Sequence, residues 1–205
     1  SVVPEGAPEG MFDESVPVIA VRAFDDEGQA SSFGIRSAME YAVAQDAEVI
    51  NMSWGSERDS EFMENAIRYA QGEGLIVVAA AGNEPNQVPL YPAAYDHVIA
   101  VAALGGDGTL WENSNYGDFV TLAAPGTGTF PVGHEGPPGG YAGTSISSAY
   151  VSQALARYID QNPGATSSQA TQALVDSLTD AGAAGRDDQY GYGVLDAAAM
   201  ERLLD

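Results

Sequence analysis

Two short stretches of this 205-residue chain carry groups suited to acting together on an acyl centre. The first is Tyr141–Ala149, YAGTSISSA, where a Gly-Thr-Ser turn runs into an alanine-rich, apolar stretch with helical character. Ser145 then stands where a helix begins, among backbone N–H groups that have no carbonyl to pair with and in a locally positive field. Negative charge developing beside such a hydroxyl is stabilised. The same pattern also serves as an ordinary Ser/Thr helix cap. The second stretch, Val77–Asn83, VVAAAGN, ends an apolar run in Gly82 and Asn83. Glycine lets backbone approach a ligand closely, and asparagine offers an amide donor. Acyl transfer needs a nucleophile, a base and oxyanion donors; Ser145 and Asn83 suit the first and last of these.

Periodicity predicts the elements that must position them. Val16–Phe24, VPVIAVRAF, has the β-branched, unbroken apolar character of a buried parallel strand. A helix follows with Ile35, Ala38, Met39, Ala42 and Val43 on one face and Ser31 or Ser32 as its cap. Val49–Ser53 reads as a short buried strand. A second helix spans Ser60–Gln71, its apolar positions being Phe62, Met63, Ala66, Ile67 and Tyr69, with Gly72 and Gly74 ending it. Leu75–Ala81, His97–Leu104 and Phe119–Ala123 complete the predicted strands. The Ser145 helix extends to Ile159, with Ala149, Ala154, Leu155, Tyr158 and Ile159 inward, before Asn162-Pro-Gly stops it. Two shorter helices, Ser167–Ser177 and Asp196–Leu204, close the chain. Strand and helix in alternation specify an α/β fold, a three-layer sandwich around a mostly parallel sheet. In such sheets sites gather beyond the carboxyl ends of the strands. The expected organisation is one domain, 1–205, whose first fifteen residues are an irregular segment rich in Pro, Gly and acids.

Seven Arg and no Lys face 29 acidic residues, a formal net charge of −22. That surface repels phosphate backbones, so no nucleic-acid or anionic-membrane partner is expected. It suits a salty or calcium-containing exterior and equally a merely soluble acidic surface. With no Cys there is no disulfide framework, thiol nucleophile or Cys-based metal site. Ser1-Val-Val-Pro lacks the basic start and apolar core of a signal peptide, which reads as a mature or processed chain.

In order along the chain, VINMSWGS, VVAAAGNE, YPAAYDHVIAVAAL, NSNYGDFVTLAAPG, AGTSISSAYVSQALA and YGYGVLDAAAM resemble successive blocks of the subtilases, the subtilisin-like serine endopeptidases. The resemblance runs from about Pro17 to Met200. It implies a subtilisin-like sandwich, peptide or protein substrates, and a secreted or extracytoplasmic setting. Carried over position by position, it makes Ser145 the nucleophile and Asn83 the side-chain oxyanion donor, with the Ser145 N–H as the second donor. Ser53, Trp54 and Gly55 match one rim of the substrate cleft; Ala80, Ala81 and Gly82 match the other, around the pocket for the side chain preceding the cut. No cofactor is required. A structural calcium is implied through backbone carbonyls near Ala93, Tyr95 and Val98.

The sequence departs from the family in three places. The Asp and His motifs of the triad, which in subtilases precede the strand matched by VPVIAVRAF, are not found. Of the two histidines, His97 matches a non-catalytic position at a strand entrance, and His134 lies in a Gly/Pro-rich loop eleven positions before Ser145. Ala149 and Tyr150 stand where Pro and His usually follow the serine, and Trp54 is bulky where the family places a smaller aliphatic residue. Three readings result. The chain is the C-terminal two-thirds of a subtilase catalytic domain, its partner an N-terminal Asp/His-bearing segment or companion chain; or it is an inactive, peptide-binding subtilase-like module; or it pairs Ser145 with His134 in an esterase-like site. Retention of both Ser145 and Asn83 favours the first.

Overall fold

The computed structural model describes residues 16–130 and 139–205. The predicted irregular segment 1–15 and His134 lie outside the described residues. Four strands, β1 (Val49–Met52), β2 (Ile76–Ala80), β3 (Ile99–Leu104) and β4 (Leu122–Pro125), form one parallel sheet in the order β1-β2-β3-β4. The register Ile50↔Val77, Ala79↔Ala100 and Ala102↔Ala123 aligns their carboxyl ends. β2 and β3 are buried at every residue, which is why IVVAA and IAVAAL carry no polar alternation.

Helices cover both faces. α1 (Ser32–Ala44) and α2 (Glu61–Gly72) pack Ile35, Met39, Met63 and Ile67 against Val77 and Ala79. α3 (Thr144–Gln161), α4 (Ser167–Ser177) and α5 (Ala197–Leu204) bring Val151, Leu155, Leu174 and Leu203 onto Ile76, Val78, Val101 and Leu122 from the other side. Alternate residues of β2 thus serve opposite layers, as the pleat requires. This is the expected three-layer α/β sandwich.

The caps follow the sequence. Ser31 Oγ accepts the Gly34 N–H, Ser60 Oγ accepts the Met63 N–H, and Asp196 accepts the Ala199 N–H. Thr166 and Gln169 form a reciprocal capping box.

Four expectations are corrected. Val16–Phe24 forms no strand: among the described residues no neighbour pairs with its backbone, and Val18 is 87% exposed. β1 is only part-buried, with Asn51 exposed, and among the described residues no strand pairs with its edge away from β2. On α2, Phe62 and Tyr69 face out and Ala70 takes the inward position, since a continuous stripe through Met63, Ala66, Ile67 and Ala70 already covers the sheet. Ala149 on α3 is exposed instead of inward.

One feature was not predicted. β5 (Thr127–Phe130) and β6 (Gly139–Ala142) pair antiparallel and lead the chain from the end of β4 into α3. The junction is tight. A Cβ on Gly126 would lie 2.5 Å from Ala103 Cβ and 2.7 Å from Ser147 Oγ, so only glycine lets the first turn of α3 sit against β3.

Candidate active site

Ser145 lies one residue inside α3, whose N-cap is Gly143 and which has no side-chain cap. Ser145 is therefore not the helix cap, and its hydroxyl is available for other work. Oγ donates to the Ser53 carbonyl at 3.2 Å, while Ser53 Oγ lies 3.1 Å from the Ser145 carbonyl. Asn51 Nδ2 donates to Ser53 Oγ at 2.8 Å, and Ser148 Oγ is 3.1 Å away. The carboxyl end of β1 and the first turn of α3 are thus tied together by reciprocal serine contacts.

The far side of Ser145 faces the carboxyl end of β2. Asn83 Oδ1 accepts both the Thr144 N–H and the Thr144 hydroxyl, each at 2.9 Å. Thr144 Oγ1 also accepts the Gly82 N–H at 3.1 Å. Because Oδ1 is committed to Thr144, Nδ2 is the atom of the Asn83 amide left to donate. Neither Asn83 Nδ2 nor the Ser145 N–H has a hydrogen-bond partner among the described residues. Two donors without partners among the described residues thus belong to the residue bound to Thr144 and to Ser145 itself at a helix N-terminus, an arrangement suited to an oxyanion. Thr144, fully buried, went unnoticed in the sequence. Its only signal there was adjacency to Ser145 in the GTS triplet.

The two predicted rims flank this point. Ser53, Trp54 and Gly55 leave the end of β1, and Ala80, Ala81 and Gly82 leave the end of β2, where Ala81 donates to the Val101 carbonyl at 3.0 Å. Asn115 brackets the second rim: its N–H donates to the Gly82 carbonyl at 3.0 Å and its Oδ1 accepts the Glu84 N–H at 2.7 Å. Gly82 has φ +121°, a left-handed conformation, and a Cβ there would meet Asn115 Cγ at 2.7 Å and Leu90 Cδ1 at 2.5 Å. The Trp54 indole packs edge-on against Phe24, ring centroids 5.6 Å apart.

His97 is not brought to this site. It precedes β3, at the amino end of the sheet, beside Asp96, Arg68 and Glu64 of the α2 side. Ser53 follows β1 at the carboxyl end, level with Val101, so the two lie roughly 13 Å apart along the strands alone. Of the carbonyls at Ala93, Tyr95 and Val98, that of Tyr95 accepts the Val98 N–H at 3.2 Å and that of Val98 accepts Thr121 Oγ1 at 3.5 Å. Among the described residues, no group of three or more His, Asp or Glu is placed to hold a metal ion.

A groove of about 1250 Å³ opens along the same face of α3. Ala149, Ser152, Gln153 and Ala156 line it, and they continue from Ser145 at helical spacing. The opposite wall is Ile35 and Met39 of α1 with the Pro17–Phe24 run, and the floor is β1 along its unpaired edge. Ser145 itself does not line the groove; it lies one helical turn before Ala149 on α3. On α3, Tyr150 points the other way, into the core; burial, with the Asp196 charge nearby, pushes its hydroxyl up to about 12.

A profile described as the Subtilase family matches residues 12–193. The chain is 32% identical over 193 residues to the minor extracellular protease Epr of Bacillus subtilis (strain 168), covering 94% of this chain and 30% of that protein. It is 36% identical over 180 residues to the halolysin-like extracellular serine protease Nep of Natrialba magadii, covering 88% and 33%. Among solved structures, a lanthipeptide protease superposes with a TM-score of 0.77 at 25% identity, covering 88% of this chain and 68% of that one. The chain thus spans about a third of the length of these two sequence relatives.

Proposed function

The chain belongs to the subtilase family, and from that premise we propose that it carries the nucleophile and oxyanion site of a subtilisin-like serine endopeptidase. The observation that supports this most is the commitment of Asn83 Oδ1 to Thr144, which leaves Nδ2 and the N–H of the next residue, Ser145, without partners among the described residues. A helix cap would need neither.

The base comes from an Asp/His-bearing segment that seats in the groove. Three features favour that seat. Among the described residues the outer edge of β1 and the backbone of the Pro17–Phe24 run have no partner, and the α3 face between them begins at Ala149, one turn after Ser145. A strand inserted between the run and β1 would satisfy both backbones and bury both apolar surfaces. The base then takes the proton from Ser145 Oγ, displacing its bond to the Ser53 carbonyl, and Oγ attacks the peptide carbonyl carbon. Asn83 Nδ2 and the Ser145 N–H hold the oxyanion. Collapse breaks the C–N bond, the amine leaves with the proton from the base, and water hydrolyses the acyl-enzyme by the same steps.

Peptides would pair in strand fashion with the rims at Ser53–Gly55 and Ala80–Gly82. Both relatives named above are extracellular proteases by description, and no helix among the described residues is long and apolar enough to cross a membrane. Action outside the cytoplasm is part of the proposal.

A fluorophosphonate probe tests it. Ser145 is expected to be labelled rapidly only when an Asp/His-bearing segment of a subtilase is supplied with the chain, and not in the Ser145→Ala variant. Full-rate labelling of the chain alone would replace this reading by one with an internal base. No labelling under either condition would favour an inactive, peptide-binding module.

A further inference from the structure

Leu90 stands between the two rims of the cleft. A Cβ on Gly82 would lie 2.5 Å from Leu90 Cδ1, and one on Gly55 would lie 3.2 Å from Leu90 Cβ and 3.4 Å from its Cδ1. One isobutyl group therefore packs against the backbone of both walls. The half-buried side chain occupies space that a substrate side chain entering between Gly55 and Gly82 would need.

It is also held there. Tyr91, the next residue, exchanges two backbone hydrogen bonds with Ser56, at 2.8 and 2.9 Å, tying it to the first rim. The Val88 carbonyl accepts Asn115 Nδ2 at 3.4 Å, and Asn115 in turn grips Gly82 and Glu84 of the second. The Leu90 carbonyl itself accepts the Ala94 N–H at 2.9 Å. These bonds hold the Leu90 main chain between the rims, and its side chain packs against Gly55 and Gly82 together, so the group acts as a plug.

We propose that Leu90 closes this pocket to all but the smallest side chains, and that the chain acts on peptides with Gly, Ala or Ser immediately before the cut. The inference rests on the peptidase reading above, in which the rims flank that side chain. A pocket already filled by four carbon atoms leaves an aromatic or long aliphatic side chain no room. Even one methylene of misfit discriminates by about 10–200-fold. The glycines of the rims and the leucine between them form a shallow apolar floor on which a methyl group rests.

Two peptides ending in a free carboxylate, Ala-Ala-Pro-Ala and Ala-Ala-Pro-Phe, test this by titration into the chain while the amide resonances of Gly55 and Gly82 are followed. The alanine-ended peptide should shift both resonances saturably and bind at least ~10-fold more tightly than the phenylalanine-ended one. Leu90→Gly should reverse or abolish that ratio, and Leu90→Ala should fall between; the core amide spectrum reports whether each variant is folded, and Leu90→Ala carries the comparison if Leu90→Gly is not. Equal binding of the two peptides by the unaltered chain, a ratio unmoved in a folded Leu90 variant, or no shift with either peptide would each overturn the proposal. Discrimination between the peptides with Ser145 refractory to fluorophosphonate in the presence of an Asp/His-bearing segment would sink the peptidase reading and leave the plug standing.

Discussion

Thr144 fixes which way round the Asn83 amide sits. A backbone N–H can only donate, so the Asn83 atom 2.9 Å from the Thr144 N–H is Oδ1, and the Thr144 hydroxyl donates to the same oxygen. The hydroxyl cannot turn away, because it accepts the Gly82 N–H at 3.1 Å. One buried side chain thereby couples the end of β2 to the start of α3 and presents Nδ2 outward.

Thr144→Val keeps the shape and removes the hydroxyl. In the complemented enzyme it should lower kcat about 10-fold with little change in KM, and Thr144→Ser should restore it. Asn83→Ala should cost about 10²–10³-fold, the range found on removing the oxyanion amide of a subtilisin. In the Asn83→Ala background, Thr144→Val should cost nothing further. Additive losses would show that Thr144 acts by some route other than the amide.

Gly126→Ala places a methyl group 2.5 Å from Ala103 Cβ, 2.7 Å from Ser147 Oγ and 3.1 Å from Ala103 Cα, closer than packed atoms lie. Urea unfolding should show a loss of about 1–3 kcal/mol in stability with the slope m unchanged. A neutral result would mean that the first turn of α3 does not sit this close to β3.

Tyr150 gives the fold an alkaline limit. Its hydroxyl is pushed up to about 12 by burial, so between pH 10 and 12 the folded chain keeps a proton that the unfolded chain releases. The stabilisation is complete below pH 10 and is lost as pH rises through 12, by about 2 kcal/mol. Tyr150→Phe should flatten that part of the stability–pH curve relative to the unaltered chain. Parallel curves would remove Tyr150 from the account.

Against a net charge of −22, the ion pairs Arg22–Asp26, Arg36–Glu40 and Arg68–Glu64 among the described residues are solvent-accessible and join residues four apart in sequence, where each contributes little. Self-repulsion should therefore limit stability at low ionic strength. Raising NaCl from 0.1 to 1 M shortens the screening length from about 10 to about 3 Å and should raise Tm by ~5 °C. An unchanged Tm would mean that the acidic groups are too widely spread to oppose folding.

How far the sequence could be read depended on whether a signal was local. Caps at Ser31, Ser60, Thr166 and Asp196 are written in neighbouring residues. Strands buried on both faces need unbroken apolar runs, so IVVAA and IAVAAL were plain. VPVIAVRAF shows the limit of that rule, since β-branched apolar residues express a demand for a partner without supplying one. The β5–β6 hairpin was hidden because GGYA and TGTF lack an apolar alternation. At the candidate site, Ser145 and Asn83 were marked by residue type, whereas Thr144 and Leu90 owe their places to contacts 61 residues away in sequence for one and to two glycines of opposite rims for the other. No periodicity reports such contacts.

The outer edge of β1, unpaired among the described residues, matters for handling the molecule as well as for chemistry. An unpaired strand beside an apolar groove is a template on which any extended chain can add, including another copy. Like charge on every copy slows that encounter, and salt removes the protection even as it firms the fold. Keeping the chain dispersed and keeping it stable thus call for opposite ionic strengths until something covers the edge.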